Sequence, residues 1–190
     1  MECDDSMVSS VNGPVKEGFS GLAKEPHELE RLQYCGQHYD QLALLLGQFG
    51  LELTQVEAEQ AIPGSFWGEP EAGLIGNRLY IRRDTPVHSA LHEACHYICM
   101  DAERRANLHT DAGGSELEEC GVNYLQILLA DHLPAVGSDC LMNDMDRWGY
   151  SFRLGSTSAW FETDARDAQG WLVEHGLIDL HNRVLFRCRG

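Results

Sequence analysis

The sequence predicts a mixed α+β domain in which a small twisted sheet packs on one helix, with a second helix following it. Three observations predict this class. Apolar residues recur at helical spacing in several segments bounded by capping residues, two short apolar runs flank a Gly-Asn dipeptide, and the length suits one core. A chain of 190 residues exceeds the roughly 150 at which folding already buries about two-thirds of the unfolded surface. With 43% hydrophobic and 23% charged residues, the composition is that of a soluble globular protein.

Residues 1–25 mix Ser, Gly, Pro, Asp and Glu without periodicity, so a poorly ordered leader is expected there, leaving 26–190 as a single domain. From His27 to about Phe49, the residues Leu29, Leu32, Leu42, Leu45, Leu46 and Phe49 fall at helical spacing, with Gly50 placed to end the helix and Gly36 a point where it can break. Thr54 to Ile62 reads as a short second helix stopped by Pro63-Gly64. Leu74-Ile75 and Leu79-Tyr80-Ile81 flank Gly76-Asn77, the signature of a hairpin spanning Gly73 to Arg82. Asp84-Thr85-Pro86 offers a cap and a proline near the first helical position, so a helix is expected from Pro86 to Met100.

Ser115 and Glu118 stand at capping-box spacing before Leu117, Val122, Leu125, Ile127, Leu128 and Leu129. They predict a helix from Ser115 to about Ala130, with Pro134 behind it. Further on, a short helix is expected at Asp139 to Trp148, then an irregular stretch, a helix from Thr163 to His175 ended by Gly176, and a strand at Arg183 to Arg187.

A formal charge of −16 repels phosphate backbones and anionic headgroups, which argues against nucleic-acid and membrane partners, whereas it favours cationic ligands such as a divalent metal. The seven cysteines are odd in number and scattered, as free thiols are in a reducing compartment. Met1-Glu2-Cys3-Asp4-Asp5 lacks the cationic start of a signal peptide, and no apolar run reaches the 18 or so residues that span a bilayer. A cytoplasmic location is expected.

The chemistry lies in the predicted Pro86–Met100 helix. His92 and His96 are four apart and share a face, so their imidazoles can meet one ion, and Glu93 is offset by one position toward the same edge. This is the His-Glu-x-x-His arrangement of zinc hydrolases, in which two imidazoles hold the metal and the carboxylate takes a proton from water. A catalytic zinc site needs a third protein ligand, and Glu116, Glu118 and Glu119 all open the next helix. Glu119 is preferred, because Asn123 follows it by one turn and its carbonyl oxygen could accept the outer N–H of His92.

The stretch Ala90-Leu91-His92-Glu93-Ala94-Cys95-His96-Tyr97-Ile98-Cys99, followed by Glu119-Cys120-Gly121-Val122-Asn123-Tyr124-Leu125-Gln126-Ile127-Leu128-Leu129 and Pro134, resembles the core of gluzincin-type zinc metallopeptidases. Within them it is most similar to the ImmA/IrrE family. The resemblance covers residues 90–134, with Val122 where that family has Ala. It implies a zincin-like minimal peptidase fold, Zn2+ bound by His92, His96 and Glu119, Glu93 as the catalytic base, Asn123 orienting a ligand, and a peptide or protein substrate.

Amide hydrolysis also needs a donor for the oxyanion, and Tyr150, Arg153, His109 and His132 are available. Cys95 and Cys99 repeat at four-residue spacing but point away from the histidines, as small buried residues do. The strand at Arg78 to Arg82 could offer an edge to an extended peptide. Two rivals to a hydrolase stand beside it: a non-catalytic zinc-binding or partner-binding module on the same scaffold, and an ordinary core helix that holds no metal.

Overall fold

In the computed structural model, residues 32–190 are described and form a mixed α+β fold. Helix α1 (Cys35–Gly47) leads to strand β1 (Glu52–Gln55), and a loop then reaches the hairpin of β2 (Gly73–Ile75) and β3 (Arg78–Ile81). Helix α2 (Val87–Cys99), the short α3 (Ala102–Ala106) and α4 (Glu116–Ala130) follow. The chain continues through α5 (Gly137–Trp148), α6 (Thr157–Thr163) and α7 (Arg166–Glu174).

The sheet has the order β1-β3-β2. β3 runs antiparallel to β2, pairing Leu79 with Leu74, and parallel to β1, pairing Leu79 with Leu53. Gly76 turns the hairpin at φ +57°, a conformation suited to the first position of a two-residue loop and open to glycine at little cost. Leu74, Leu79 and Ile81 are fully buried and face the helices.

The core closes around α2. Eleven of its thirteen residues are buried, so this is a central helix rather than one with a solvent face. It packs most extensively on α4, which in turn packs on α7. Gly121 permits that second approach: a methyl group there would lie 2.8 Å from the Trp171 ring. No helix among the described residues is long and apolar enough to cross a membrane.

Several expectations need correction. The helix expected from His27 begins only at Cys35 among the described residues, because Tyr34 is extended and bridged to Pro86: Cys35 N–H donates to Thr85 O and Val87 N–H to Gln33 O. Gly36 then lies in the first turn instead of breaking the helix. The leader at 1–25 lies outside the described residues. Thr54 to Ile62 is no helix; its start belongs to β1, where Val56 N–H continues the ladder onto Ile81 O at 2.8 Å. β-branched Thr54 and Val56 suit that pleated surface.

β3 is the inner strand, paired on both sides, so Arg78 to Arg82 offers no free edge. α2 carries no side-chain cap at Pro86, since the Thr85 hydroxyl accepts from Arg82 N–H instead. Thr163 to His175 divides, with α6 capped by Ser156 and α7 beginning at Arg166. The strand at Arg183 to Arg187 reduces to one bridge between Ile178 and Val184, because Phe186 turns to φ +47°. The Pro86–Met100, Ser115–Ala130 and Asp139–Trp148 helices match to within two residues at each end.

Candidate metal centre

α2 presents its histidines because the rest of the helix is anchored. Leu91, Ala94, Cys95, Ile98 and Cys99 are wholly buried, which fixes the rotation of the helix and leaves His92 and His96 on the side facing α4. α4 starts where the Ser115 hydroxyl accepts from Glu118 N–H at 3.3 Å, and one turn later Glu119 reaches across. His92 Nε2 lies 3.3 Å from Glu119 Oε1, His96 Nε2 lies 3.5 Å from Glu119 Oε2, and the two Nε2 atoms are 3.1 Å apart. A tetrahedral zinc ion about 2.0–2.1 Å from each ligand sets those atoms roughly 3.3–3.4 Å apart. The donor set therefore fits such an ion, and it is the group among the described residues whose ligand atoms converge in this way.

The charges agree with the geometry. Burial alone would lower the His92 imidazole, but the hydrogen bond to Glu119 and the charges of Glu119, Glu93 and Glu71 together raise it. Burial pushes the Glu119 carboxyl up, yet the bond to His92 and the two imidazoles hold it at about 2. His96 falls to about 4 through burial and the neighbouring His92 charge. Two ring nitrogens in contact cannot both carry a proton toward one another, and one cation shared with a carboxylate resolves that conflict.

Glu93 lies beside this triad, 6% exposed, and accepts no side-chain or backbone hydrogen bond among the described residues. Burial raises its carboxyl to about 7, against the opposing charge of His92 and with Glu71, Glu119 and Asp111 adding to the rise. It can exchange a proton near neutrality, which is what a general base requires.

These groups line a cavity of about 240 Å³ shared with Phe66, Trp67, Glu71, Thr110, Asp111 and Tyr150. Two loops complete it. The loop before β2 is held over α2 by the Ala72 N–H donating to the Ser89 hydroxyl at 2.9 Å. Residues 108–110 run beside β2, with Thr110 N–H on Leu74 O, until Thr110 turns to φ +68° and sends 111–113 across the mouth. A left-handed conformation is strained for a β-branched residue.

Of the expected oxyanion donors, Tyr150 alone reaches the cavity, with its ring centroid 5.9 Å from that of His92. Burial, helped by Glu71, Glu119 and Glu93, lifts its phenol well above the ordinary range, so it stays protonated. Arg153 is committed to Asp164, exposed His109 bonds to the Thr110 hydroxyl, and His132 packs on Phe186.

Among the three glutamates opening α4, Glu119 faces the histidines. Glu118 turns the other way, taking Arg104 Nη1 on both oxygens at 2.7 and 2.9 Å and Arg189 at 3.3 Å, and Glu116 is exposed. Asn123 does not meet His92. Its Nδ2 donates back to Glu119 O at 3.0 Å and its Oδ1 accepts from Gln126, the local bond a mid-helix Asn readily makes. Asn123 thus steadies the backbone at Glu119, while Nδ1 of His92 and of His96 has no partner among the described residues.

Sequence reasoning missed Glu71, Asp111, Phe66 and Thr110, whose loops carry no motif. It also missed His88, one turn before His92, which could have been found by extending the four-residue spacing backward. Burial holds the His88 imidazole down at about 3, and its ring packs 5.2 Å from Trp148 and 5.6 Å from Tyr150. Cys95 and Cys99 are buried free thiols, and the six described cysteines are all unbridged. Compared with protein-family models, curated proteins and solved structures, the chain matches none.

Proposed function

We propose that the chain is a zinc-dependent peptidase on a zincin-like scaffold, related to the ImmA/IrrE kind by its residue 90–134 motifs. The observation that carries the reading is the convergence of His92, His96 and Glu119 at separations of 3.1–3.5 Å, beside the buried carboxylate of Glu93, which lines the same cavity. Two imidazoles and a carboxylate suit Zn2+, with room for a fourth ligand.

His92, His96 and Glu119 would hold the ion. When bound, zinc supplies Lewis acidity that polarises a carbonyl and acidifies a water. Glu93 takes the proton from the attacking water on its carboxylate and returns it to the departing amine. The Tyr150 phenol, which burial keeps protonated, can donate to the oxygen on which charge gathers. The walls formed by 65–72 and 110–113 orient the substrate and exclude bulk water.

Elemental analysis tests the centre: one zinc per chain is expected in the wild-type protein and none after His92→Ala. Glu93→Gln should retain zinc and lose turnover of a mixed peptide library. Retained zinc with no turnover in either protein would point instead to a binding module on the same scaffold.

A further inference from the structure

We propose that Gln126 is a positioning residue for the reaction: its amide, tied through Asn123 to the backbone of Glu119, donates to the Tyr150 phenol oxygen and leaves the phenol's own proton for the substrate. The role in turnover rests on the peptidase reading; the direction of the bond does not.

Glu119, Asn123 and Gln126 follow one another at four- and three-residue spacing, so they share the face of α4 that carries the proposed ligand. The hydrogen bonds along that face have a single sense. Asn123 Nδ2 donates to Glu119 O at 3.0 Å, which fixes the orientation of the Asn123 amide. Gln126 Nε2 then donates to Asn123 Oδ1 at 3.0 Å, within the core. An amide nitrogen carries two hydrogens, and Gln126 is also hydrogen-bonded to Tyr150. Gln126 Oε1 has no partner among the described residues, so it does not take the phenol proton. The bond therefore runs from the Gln126 N–H to the phenol oxygen.

That direction matters because a hydroxyl is a rotor. With its oxygen engaged by Gln126, the Tyr150 O–H turns away from the amide, and Tyr150 stands on the cavity wall. The ring itself is already held. It meets His88 edge to face at 5.6 Å and His92 at 5.9 Å, and it stacks on Phe152 at 6.5 Å. Its backbone is fixed as well, since Gly149 closes α5 at φ +103° and Tyr150 N–H donates to Met145 O at 3.1 Å. Gln126 settles the one torsion that packing leaves open.

Stability does not account for this side chain. Gln126 is 0% exposed, and a wholly buried amide with an unmatched oxygen is destabilising beside an apolar group of the same shape. Methionine would fill the space without that penalty. What it could not supply is a directed N–H.

The test is a double-mutant cycle between Gln126→Met and Tyr150→Phe, with Gln126→Leu as a second apolar variant. Each zinc-loaded protein is assayed on the fastest-cleaved member of a mixed peptide library. Each is also titrated calorimetrically with a phosphonamidate analogue of a capped dialanine peptide, whose phosphoryl oxygens stand in for the oxyanion. Alone, Gln126→Met should lower both kcat and phosphonamidate affinity about tenfold, with KM and zinc stoichiometry unchanged. In Tyr150→Phe protein the same change should alter either by less than about twofold. A further readout needs neither metal nor a Gln126 variant: in isotope-labelled, metal-free protein, the Gln126 side-chain amide protons should move in the NMR spectrum on Tyr150→Phe.

An equal loss in both backgrounds, zinc lost with the amide, no loss at all, or Gln126 amide protons indifferent to Tyr150→Phe would overturn the inference. Should both apolar variants fail to fold, the NMR comparison decides alone. Phosphonamidate binding in the expected pattern without cleavage of any peptide would refute the peptidase reading and leave the Gln126 bond standing. Turnover untouched by Gln126→Met would do the reverse, and neither turnover nor phosphonamidate binding would overturn both.

Discussion

Replacing Arg104 with Ala should destabilise the fold and loosen the metal centre together. The guanidinium ties the start of α4 to the 110–113 wall of the site: it bonds both oxygens of Glu118 at 2.7 and 2.9 Å and the carbonyls of Ala112 and Gly113 at 3.1 and 2.8 Å. Glu118 is 4% exposed, so losing Arg104 leaves a buried carboxylate with Arg189 at 3.3 Å. Breaking a fully buried ion pair costs about 3–5 kcal/mol, which sets the ceiling. The Arg104 side chain is 34% exposed, so water replaces part of what is lost, and roughly 2–3 kcal/mol is expected.

For a chain of this length that loss lowers Tm by about 4–12 °C. Urea melts of the metal-free protein measure it. A cycle with Glu118→Gln should show coupling of about 1–2 kcal/mol, and Arg104→Lys should recover only part, since an ammonium cannot make the forked bonds. Zinc affinity should fall about tenfold, because Glu118 adjoins the ligand Glu119. A loss under about 0.5 kcal/mol, the value of an ordinary surface pair, or strict additivity in the cycle, would refute the reasoning.

Other perturbations have equally definite outcomes. Chelation of a zinc-loaded sample should lower Tm, with zinc at about a thousand times its Kd adding roughly 4 kcal/mol; Glu119→Ala should abolish the difference in differential scanning calorimetry. Gly121→Ala should cost about 1–3 kcal/mol in urea, by driving a methyl group into Trp171. His88→Phe should be neutral or stabilising by up to about 1 kcal/mol, because neither buried ring nitrogen has a partner among the described residues. Burial raises the Asp144 carboxyl, against the Gln33 N–H and Arg147 that lower it. A carboxyl raised on folding binds its proton more tightly when folded, so its contribution is present below the unfolded pKa and is lost as pH rises through the folded one. Asp144→Asn should therefore flatten the stability profile just above pH 4 in thermal melts across pH.

His92, Glu93, His96 and Glu119 could be read in the sequence because their relation is local: a four-residue spacing on one helix and a capped start to the next. The flanking hairpin was legible for the same reason, through Gly76-Asn77. β1 was not, because its four residues become a strand only by pairing with β3, twenty-six positions along the chain by register. Glu57, Glu59 and Gln60 have helical propensity that obscured it. The loops that carry Glu71 and Asp111 are placed by tertiary bonds, among them Ala72 N–H to the Ser89 hydroxyl, Thr110 N–H to Leu74 O and Arg104 to the Ala112 and Gly113 carbonyls, which leave no periodic trace. Tyr150 and Arg153 were equally eligible by residue type, and the turn after α5 places one beside His92 and the other against Asp164.

The inner position of β3 has a consequence for how copies of the chain meet. A three-stranded sheet ordinarily leaves two rims on which a neighbouring molecule can lengthen the ladder and begin an aggregate. Here the rim beyond β2 is taken by 108–110, and on the far side the Tyr39 hydroxyl covers Leu53 O at 3.0 Å. Tyr39→Phe uncovers a single carbonyl and should leave the protein monodisperse on concentration. Deleting the bonds of 108–110 would open the longer rim and turn a self-limiting sheet into a template for growth.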